Sequence, residues 1–299
     1  SSPCGPMLWL PLVLFGVVLG LIALAAHSGT QKPLRGWTVL VTGAAQGLGK
    51  ELAAQFARRG CVLVLWDVDP RVADTARDLP CEAYGYVVDL ADAEGLDAAA
   101  AHTRRLHTVD VLVNNAAAVS GHTVLQESGP EVSNVMAINF TACTQLVRSF
   151  VPGMLQRGQG HVVTISSVMA HTHACDLASY CASKAALLAW HNCMRLELKR
   201  EGRHEVHTTV VCPYAIDTAL FEGCRFPLRW LLPPLGAPAV ADATVRAVEA
   251  NTPLLVLPWP LRWALPFQQL LPPDVLDAVL VRVGRANHAM AGFRRRGGA

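Results

Sequence analysis

Charge is scarce in this chain. Asp, Glu, Lys and Arg make up 16% of the 299 residues, against 52% hydrophobic. That balance is apolar for a soluble domain and points to a membrane or a lipophilic ligand. Net charge is only +2. No basic stripe with interleaved aromatics occurs, which argues against a nucleic-acid partner. The 9 cysteines are odd in number, run from Cys4 to Cys224 and form no C-x-x-C pair. Reduced, mostly buried thiols in a cytosolic domain are the simplest reading. Internal repeats and low-complexity linkers are absent. The length fits one large α/β domain or two small ones.

One long uncharged run is present. Met7 to Ala26 reads MLWLPLVLFGVVLGLIALAA, close to the roughly 20 apolar residues that cross a bilayer. A cleaved signal peptide is the competing reading, with Ala23-Leu24-Ala25 as a small-residue site. No positive segment precedes Met7, and the run is long for that role. Lys32 and Arg35 follow the run, so the positive-inside rule puts the rest of the chain on the cytosolic side. Pro11 interrupts the run near its start and leaves a monotopic insertion open.

From Trp37 onward, apolar runs alternate with helix-length segments. Strands are expected at Trp37–Val41, Val62–Trp66, Tyr84–Val88, Val109–Val113, His161–Ile165 and His207–Val211, with a helix over Gln46–Arg59. Continuous β-branched runs separated by helices predict a parallel sheet covered on both faces. The fold class is therefore α/β, a doubly wound Rossmann-type single domain behind an N-terminal membrane helix. The expected divisions are an anchor at 7–26, the Rossmann domain at 36–225, and an apolar cap with a basic tail at 226–299. The cap is rich in Leu, Pro and Trp, and Trp230, Trp259 and Trp263 sit near Arg229 and Arg262. It reads either as a proline-rich lid over the sheet edge or as a substrate mouth against the bilayer interface. Arg294 to Arg296 could touch anionic lipid or form a solvated tail.

A glycine turn follows the first strand: Thr42-Gly43-Ala44-Ala45-Gln46-Gly47-Leu48-Gly49. A strand before it and a helix after it are the setting in which backbone N–H groups cradle a pyrophosphate. Gly43, Gln46, Gly47, Leu48 and Gly49 are thus expected to bind a dinucleotide. Asp67 ends the second strand, where a carboxylate accepts from both adenosine ribose hydroxyls. It would repel a 2′-phosphate, which favours NAD over NADP. No Lys or Arg follows it before Arg71. Asp89, after the third strand, is placed for the adenine amino group, or is simply a turn aspartate. Asn115 ends the fourth strand beside the cofactor. Ile216 and Thr218 follow the sixth strand, and Thr218 is placed for the nicotinamide carboxamide.

Tyr180 and Lys184 stand four apart at the start of a helical stretch, on one face. A tyrosine near its ordinary pKa of about 10 is a poor base at neutral pH. A nearby ammonium and an oxidised nicotinamide ring would stabilise phenolate and give a usable acid/base. Ser167, at the end of the strand HVVTISS, can hydrogen-bond a substrate oxygen. Asn139 could complete a proton relay through water.

Together these motifs resemble the short-chain dehydrogenase/reductase family from about Trp37 to Arg225. The resemblance implies a nicotinamide-dependent alcohol oxidoreductase with a catalytic tetrad on Asn139, Ser167, Tyr180 and Lys184. It also implies a homodimer through the helices after Asn134 and Tyr180. Five segments are similar to the membrane-anchored retinol dehydrogenase branch: Leu63-Val64-Leu65-Trp66-Asp67, Val119-Ser120-Gly121-His122, Cys212-Pro213-Tyr214, Phe221-Glu222-Gly223-Cys224 and His288-Ala289-Met290-Ala291-Gly292-Phe293. That branch implies oxidation of all-trans-retinol at the endoplasmic reticulum. Its links to lipid-droplet hydroxysteroid dehydrogenases keep a steroid or other lipid alcohol as the alternative. A membrane-tethered nucleotide-binding scaffold without catalysis is a third reading, but would have no need of Ser167, Tyr180 and Lys184 together. The sequence departs from the family at Asn114-Asn115-Ala116-Ala117, where Asn-Asn-Ala-Gly is usual, and at His171, His173 and Asp176, where small or apolar residues are usual. No metal is expected, because the proposed chemistry requires none.

Overall fold

In a parallel sheet covered by helices, every strand residue meets an apolar layer, so the sequence of each strand is continuously apolar. The computed structural model follows that logic and describes residues 32–224, 232–283, 286, 287, 290, 292 and 293. Seven parallel strands form the main sheet: β1 (Thr38–Thr42), β2 (Val62–Asp67), β3 (Ala83–Val87), β4 (Val111–Asn114), β5 (Gly160–Ile165), β6 (Val206–Pro213) and β9 (Leu254–Leu257). Their order is β3-β2-β1-β4-β5-β6-β9. The chain reverses its direction of travel between β1 and β4, and Val39 lies in register with both Leu63 and Val111. That switch point opens a crevice at the carboxyl ends of the strands.

Two apolar layers enclose the sheet. On one face, Val39, Val41, Leu63 and Leu65 pack with Leu52 and Phe56 of α1 (Gly47–Arg58) and Val245 and Val248 of α7 (Ala237–Glu249). The Arg59 guanidinium ties the same two helices together, 3.0 Å from Asp242 and 3.3 Å from Glu249. On the other face, Leu40, Val64 and Leu112 meet Leu96 of α3 (Ala93–Leu106), Phe150 and Met154 of α5 (Ala142–Arg157), and Met194 of α6 (Ala178–Arg200). The remaining helices are α2 (Val72–Asp78), α4 (Gly129–Met136), α8 (Leu261–Gln268) and α9 (Pro273–Ala278). A minor sheet pairs β7 (Ile216–Asp217) with β8 (Leu235–Gly236).

The six expected strands form within two residues of their expected limits. The sheet, however, does not end at Arg225. Helix α7 and strand β9 fall within the segment read from sequence as a cap, and Cys212 on β6 pairs with Val256 on β9. A short apolar run in a proline-rich setting gives no local sign that a sheet edge is waiting for it.

Among the described residues, no helix is long and apolar enough to cross a membrane. The expected anchor at 7–26 lies outside the described residues. So do Trp230, Arg229, His288 and Arg294 to Arg296.

Candidate active site

The turn after β1 needs glycine for steric reasons. Gly43 and Gly47 adopt φ of +68° and +57°, a region costly for residues with a Cβ. A Cβ on Gly43 would stand 2.8 Å from the Ala116 Cα, and one on Gly49 only 1.9 Å from the Gly43 carbonyl oxygen. Gln46 is the N-cap of α1, so the turn delivers the chain to the end of a helix at which an anion is favoured. A Cβ on Gly47 would lie 3.5 Å from Thr218, which brings the loop after β6 against this turn. These features fit a dinucleotide.

Two residues organise the crevice from behind. The Thr42 hydroxyl accepts from the Asn115 and Ala116 N–H groups at 3.1 and 3.2 Å. Asn115 Nδ2 donates to the Thr42 and Gly43 carbonyls at 2.8 and 3.2 Å. Asn115 lines the cavity, yet its amide serves the backbone, clamping β1 to β4. Asp67 accepts from the Ala45 N–H at 2.8 Å and the Asp69 N–H at 3.0 Å. Both its oxygens keep lone pairs for further donors. Asp89 is exposed and accepts from the Ala91 N–H at 2.8 Å, as a turn aspartate does.

Tyr180 lies in the first turn of α6, 5% exposed, with Lys184 one turn on at 2%. The Phe221 ring stands edge-on to Tyr180, 5.6 Å between centroids at 89°. Ser183, to which the sequence reading assigned no role, donates to the Tyr180 carbonyl at 2.7 Å. Ser166 donates to the Lys184 carbonyl at 3.0 Å. Ser167 follows β5, and its hydroxyl accepts from the Met169 N–H at 3.1 Å.

Burial dominates the electrostatics of both Tyr180 and Lys184 in the protein without a dinucleotide. Burial pushes the Tyr180 phenol well above the usual tyrosine range, with a hydrogen bond from the Ser167 side chain pulling partly against it. Burial also lowers the Lys184 ammonium to about 8. The ammonium donates to the Ile165 carbonyl at 2.9 Å and sits 5.7 Å from the Tyr180 ring centroid. In the protein by itself, burial outweighs the Ser167 hydrogen bond, and the phenol is held in its neutral form.

Asn139 occupies a π-helical turn, Ala137–Thr141, between α4 and α5. It is fully buried. Its side chain accepts from the Ala118 N–H at 2.7 Å and donates at 3.0 Å to both the Ala118 carbonyl and the Ser183 hydroxyl. The amide is thus engaged in joining the loop after β4 to α6. It stands behind the cavity wall rather than on it.

A single cavity of about 700 Å³ joins these parts. Gly43, Gln46, Gly47, Leu48, Gly49, Asp67, Asp89, Asn115, Ser167, Tyr180, Lys184, Ile216 and Thr218 all line it. Its apolar wall includes Met169, Phe221, Leu261, Leu265, Met290 and Phe293. Met290 and Phe293 belong to the late segment noted in the sequence, and pack with Leu177, Tyr180 and Cys181. His173 also faces the cavity, whereas His171 is half-buried and its imidazole is lowered by burial. Among the described residues, no cluster of three or more His, Cys, Asp or Glu is placed to hold a metal.

Residues 37–225 match the family described as short chain dehydrogenase. The chain belongs to that family of nicotinamide-dinucleotide-binding alcohol oxidoreductases. Within it, the chain is similar to retinol dehydrogenase 10-B of Xenopus laevis, 31% identical over 296 residues, with 87% of each protein covered. Retinol dehydrogenase 10 of Rattus norvegicus is 31% identical over 282 residues, covering 83% of each. Short-chain dehydrogenase/reductase family 16C member 6 of Bos taurus is 33% identical over 236 residues, covering 76% of this chain and 74% of the relative. Among solved structures, a short-chain dehydrogenase from Sphingobium yanoikuyae in complex with NADPH superposes with TM-score 0.67 at 26% identity, covering 88% of this chain and 98% of that one. A Burkholderia phymatum member in complex with NAD has TM-score 0.71 at 24% identity, covering 80% and 95%, and speaks to fold alone.

Proposed function

We propose that this protein is an NAD-dependent dehydrogenase that interconverts a lipophilic alcohol and its carbonyl, all-trans-retinol and retinaldehyde first among them. The observation that carries the reading is the meeting of Ser167, Tyr180 and Lys184 with the glycine turn in one apolar-walled cavity. Its volume falls within the roughly 300–1,000 Å³ of sites that enclose a small organic ligand. The retinol dehydrogenase relatives support the retinoid over other lipid alcohols.

Gly43, Gln46, Gly47, Leu48 and Gly49 would hold the pyrophosphate, Asp67 the adenosine ribose and Asp89 the adenine. Asn115, Ile216 and Thr218 would border the nicotinamide, and Lys184 its ribose. The dinucleotide, when bound, supplies the hydride acceptor or donor. NAD is favoured over NADP because the Asp67 carboxylate would repel a 2′-phosphate, and the nearby Arg71 is committed elsewhere. Arg71 is turned onto Asp69, with Nε at 3.0 and 2.9 Å.

Ser167 orients the substrate hydroxyl. Tyr180 takes its proton in oxidation and returns it to the carbonyl oxygen in reduction. Positive charge near the phenol lowers its pKa towards the working pH. Asn139 acts as a positioning residue by fixing Ala118 and, through Ser183, the first turn of α6. On this reading the enzyme works at the endoplasmic reticulum membrane as a homodimer with a cytosolic catalytic domain; the apolar run Met7–Ala26 supports the membrane part of it.

The test is Tyr180→Phe. Turnover should fall to background while NAD still binds. Retained turnover would sink the assignment. A panel of retinol and hydroxysteroids, each with NAD and NADP, tests the substrate, and a steroid preference would reverse the ranking. Tight NAD binding with no alcohol oxidised would instead favour a scaffold.

A further inference from the structure

Helix α8 is apolar on two opposite sides. Leu261 and Leu265, one turn apart, line the cavity, and Leu265 is 8% exposed. The other side faces outward, with Trp263 at 41% and Phe267 at 62% exposed, again one turn apart. The stripe continues at both ends through Trp259 at 69%, Leu270 at 77%, Leu271 at 40% and Val275 at 47%. An isolated exposed leucine needs no explanation, but a contiguous run with two tryptophans does. A helix serving only as a lid would be polar on its outer side.

We infer that the outer side of α8, with its flanks from Trp259 to Val275, is a bilayer-docking surface that sets the cavity wall against lipid. Three observations select lipid as the occupant. Trp259 and Trp263 flank the exposed Arg262, and tryptophan with a cation is the pairing favoured at headgroup level. The chain also carries the uncharged run Met7–Ala26, long enough to insert in a bilayer. The same helix walls the cavity, so a molecule dissolved in the acyl layer would meet a thin apolar partition rather than water. Gln268, at the end of α8, donates through Nε2 to the His171 carbonyl. That bond links the docking helix to the loop leading into Tyr180.

The inference rests on the lipophilic-alcohol reading, and its test separates the two. Full-length protein is reconstituted in phosphatidylcholine vesicles containing one-fifth phosphatidylserine. Retinol dissolved in the bilayer is compared with prenol, a short allylic alcohol delivered from water. In the double variant Trp263→Glu, Phe267→Glu, kcat/KM for retinol should fall by about tenfold or more, since charge is costly at a lipid contact. The value for prenol should be unchanged. Equal values for variant and wild type with retinol, or an equal fall with both alcohols, would overturn the inference. A second readout does not need turnover. Lipids brominated along the acyl chain should quench the wild type more than the variant Trp259→Phe, Trp263→Phe. Equal quenching would mean that the chain's own 7–26 segment or another protein covers the patch. A smaller oligomer for the glutamate variant in detergent would mean that a second copy covers it. Each of these outcomes rejects docking to lipid. If wild type oxidises neither alcohol, the functional reading fails while the quenching result still decides the docking.

Discussion

The Lys184 ammonium donates to the Ile165 carbonyl at 2.9 Å and stands 5.7 Å from the centre of the Tyr180 ring. It is therefore a buried cation held by a neutral acceptor. Burial lowers its pKa from 10.5 to about 8. The unfolded chain thus binds more protons than the native state between those values. Native stability rises with pH across that window and is lost as pH falls through about 8. At pH 7 the native state carries the whole cost of burying the charge, of order 3 kcal/mol at about 1.4 kcal/mol per pKa unit. Lys184→Met should consequently raise the unfolding temperature at pH 7, with the gain shrinking towards pH 10, while turnover is lost. Thermal unfolding followed across pH checks this, and a variant less stable than wild type at pH 7 would refute it.

Gly49 tests the dinucleotide turn independently of catalysis. A Cβ there would lie 1.9 Å from the Gly43 carbonyl oxygen, so backbone must move. Gly49→Ala should destabilise the fold by roughly 1–3 kcal/mol, as overpacking does, and weaken NAD binding more than any change in the apolar wall. Gly129→Ala is the control, since a Cβ there meets nothing within 4 Å. Denaturant unfolding and NAD titration of both variants give the comparison.

Asp67 and Val68 should set the choice of cofactor. Val68 is 63% exposed and lines the same cavity, so an arginine is accommodated there. Asp67→Ser with Val68→Arg should move the ratio of kcat/KM from NAD towards NADP by about a hundredfold, the order of two charge-assisted contacts. Stability should fall by about 1 kcal/mol as the Ala45 N–H loses its carboxylate partner. An unchanged ratio would remove Asp67 from the cofactor site.

The sequence by itself determined the strands of the sheet from β1 to β6 and the turn that follows the first. Strands buried on both faces are written as unbroken apolar runs, and a turn with two positive φ values needs glycine, so both are legible residue by residue. Tertiary structure decided what depends on neighbours distant in the chain. Leu254–Leu257 is a strand only because β6 offers an open edge. Asn139 turns its amide onto Ala118 and Ser183, away from the cavity, because the π-helical turn and α6 meet there. The pairing of Met290 and Phe293 with Tyr180 joins segments that no local pattern connects. Tyr180 and Lys184 were legible as a spacing on one helix face, but their proton affinities were not. Those affinities follow from desolvation, and the depth of burial is a property of the whole packed molecule rather than of any stretch of its sequence.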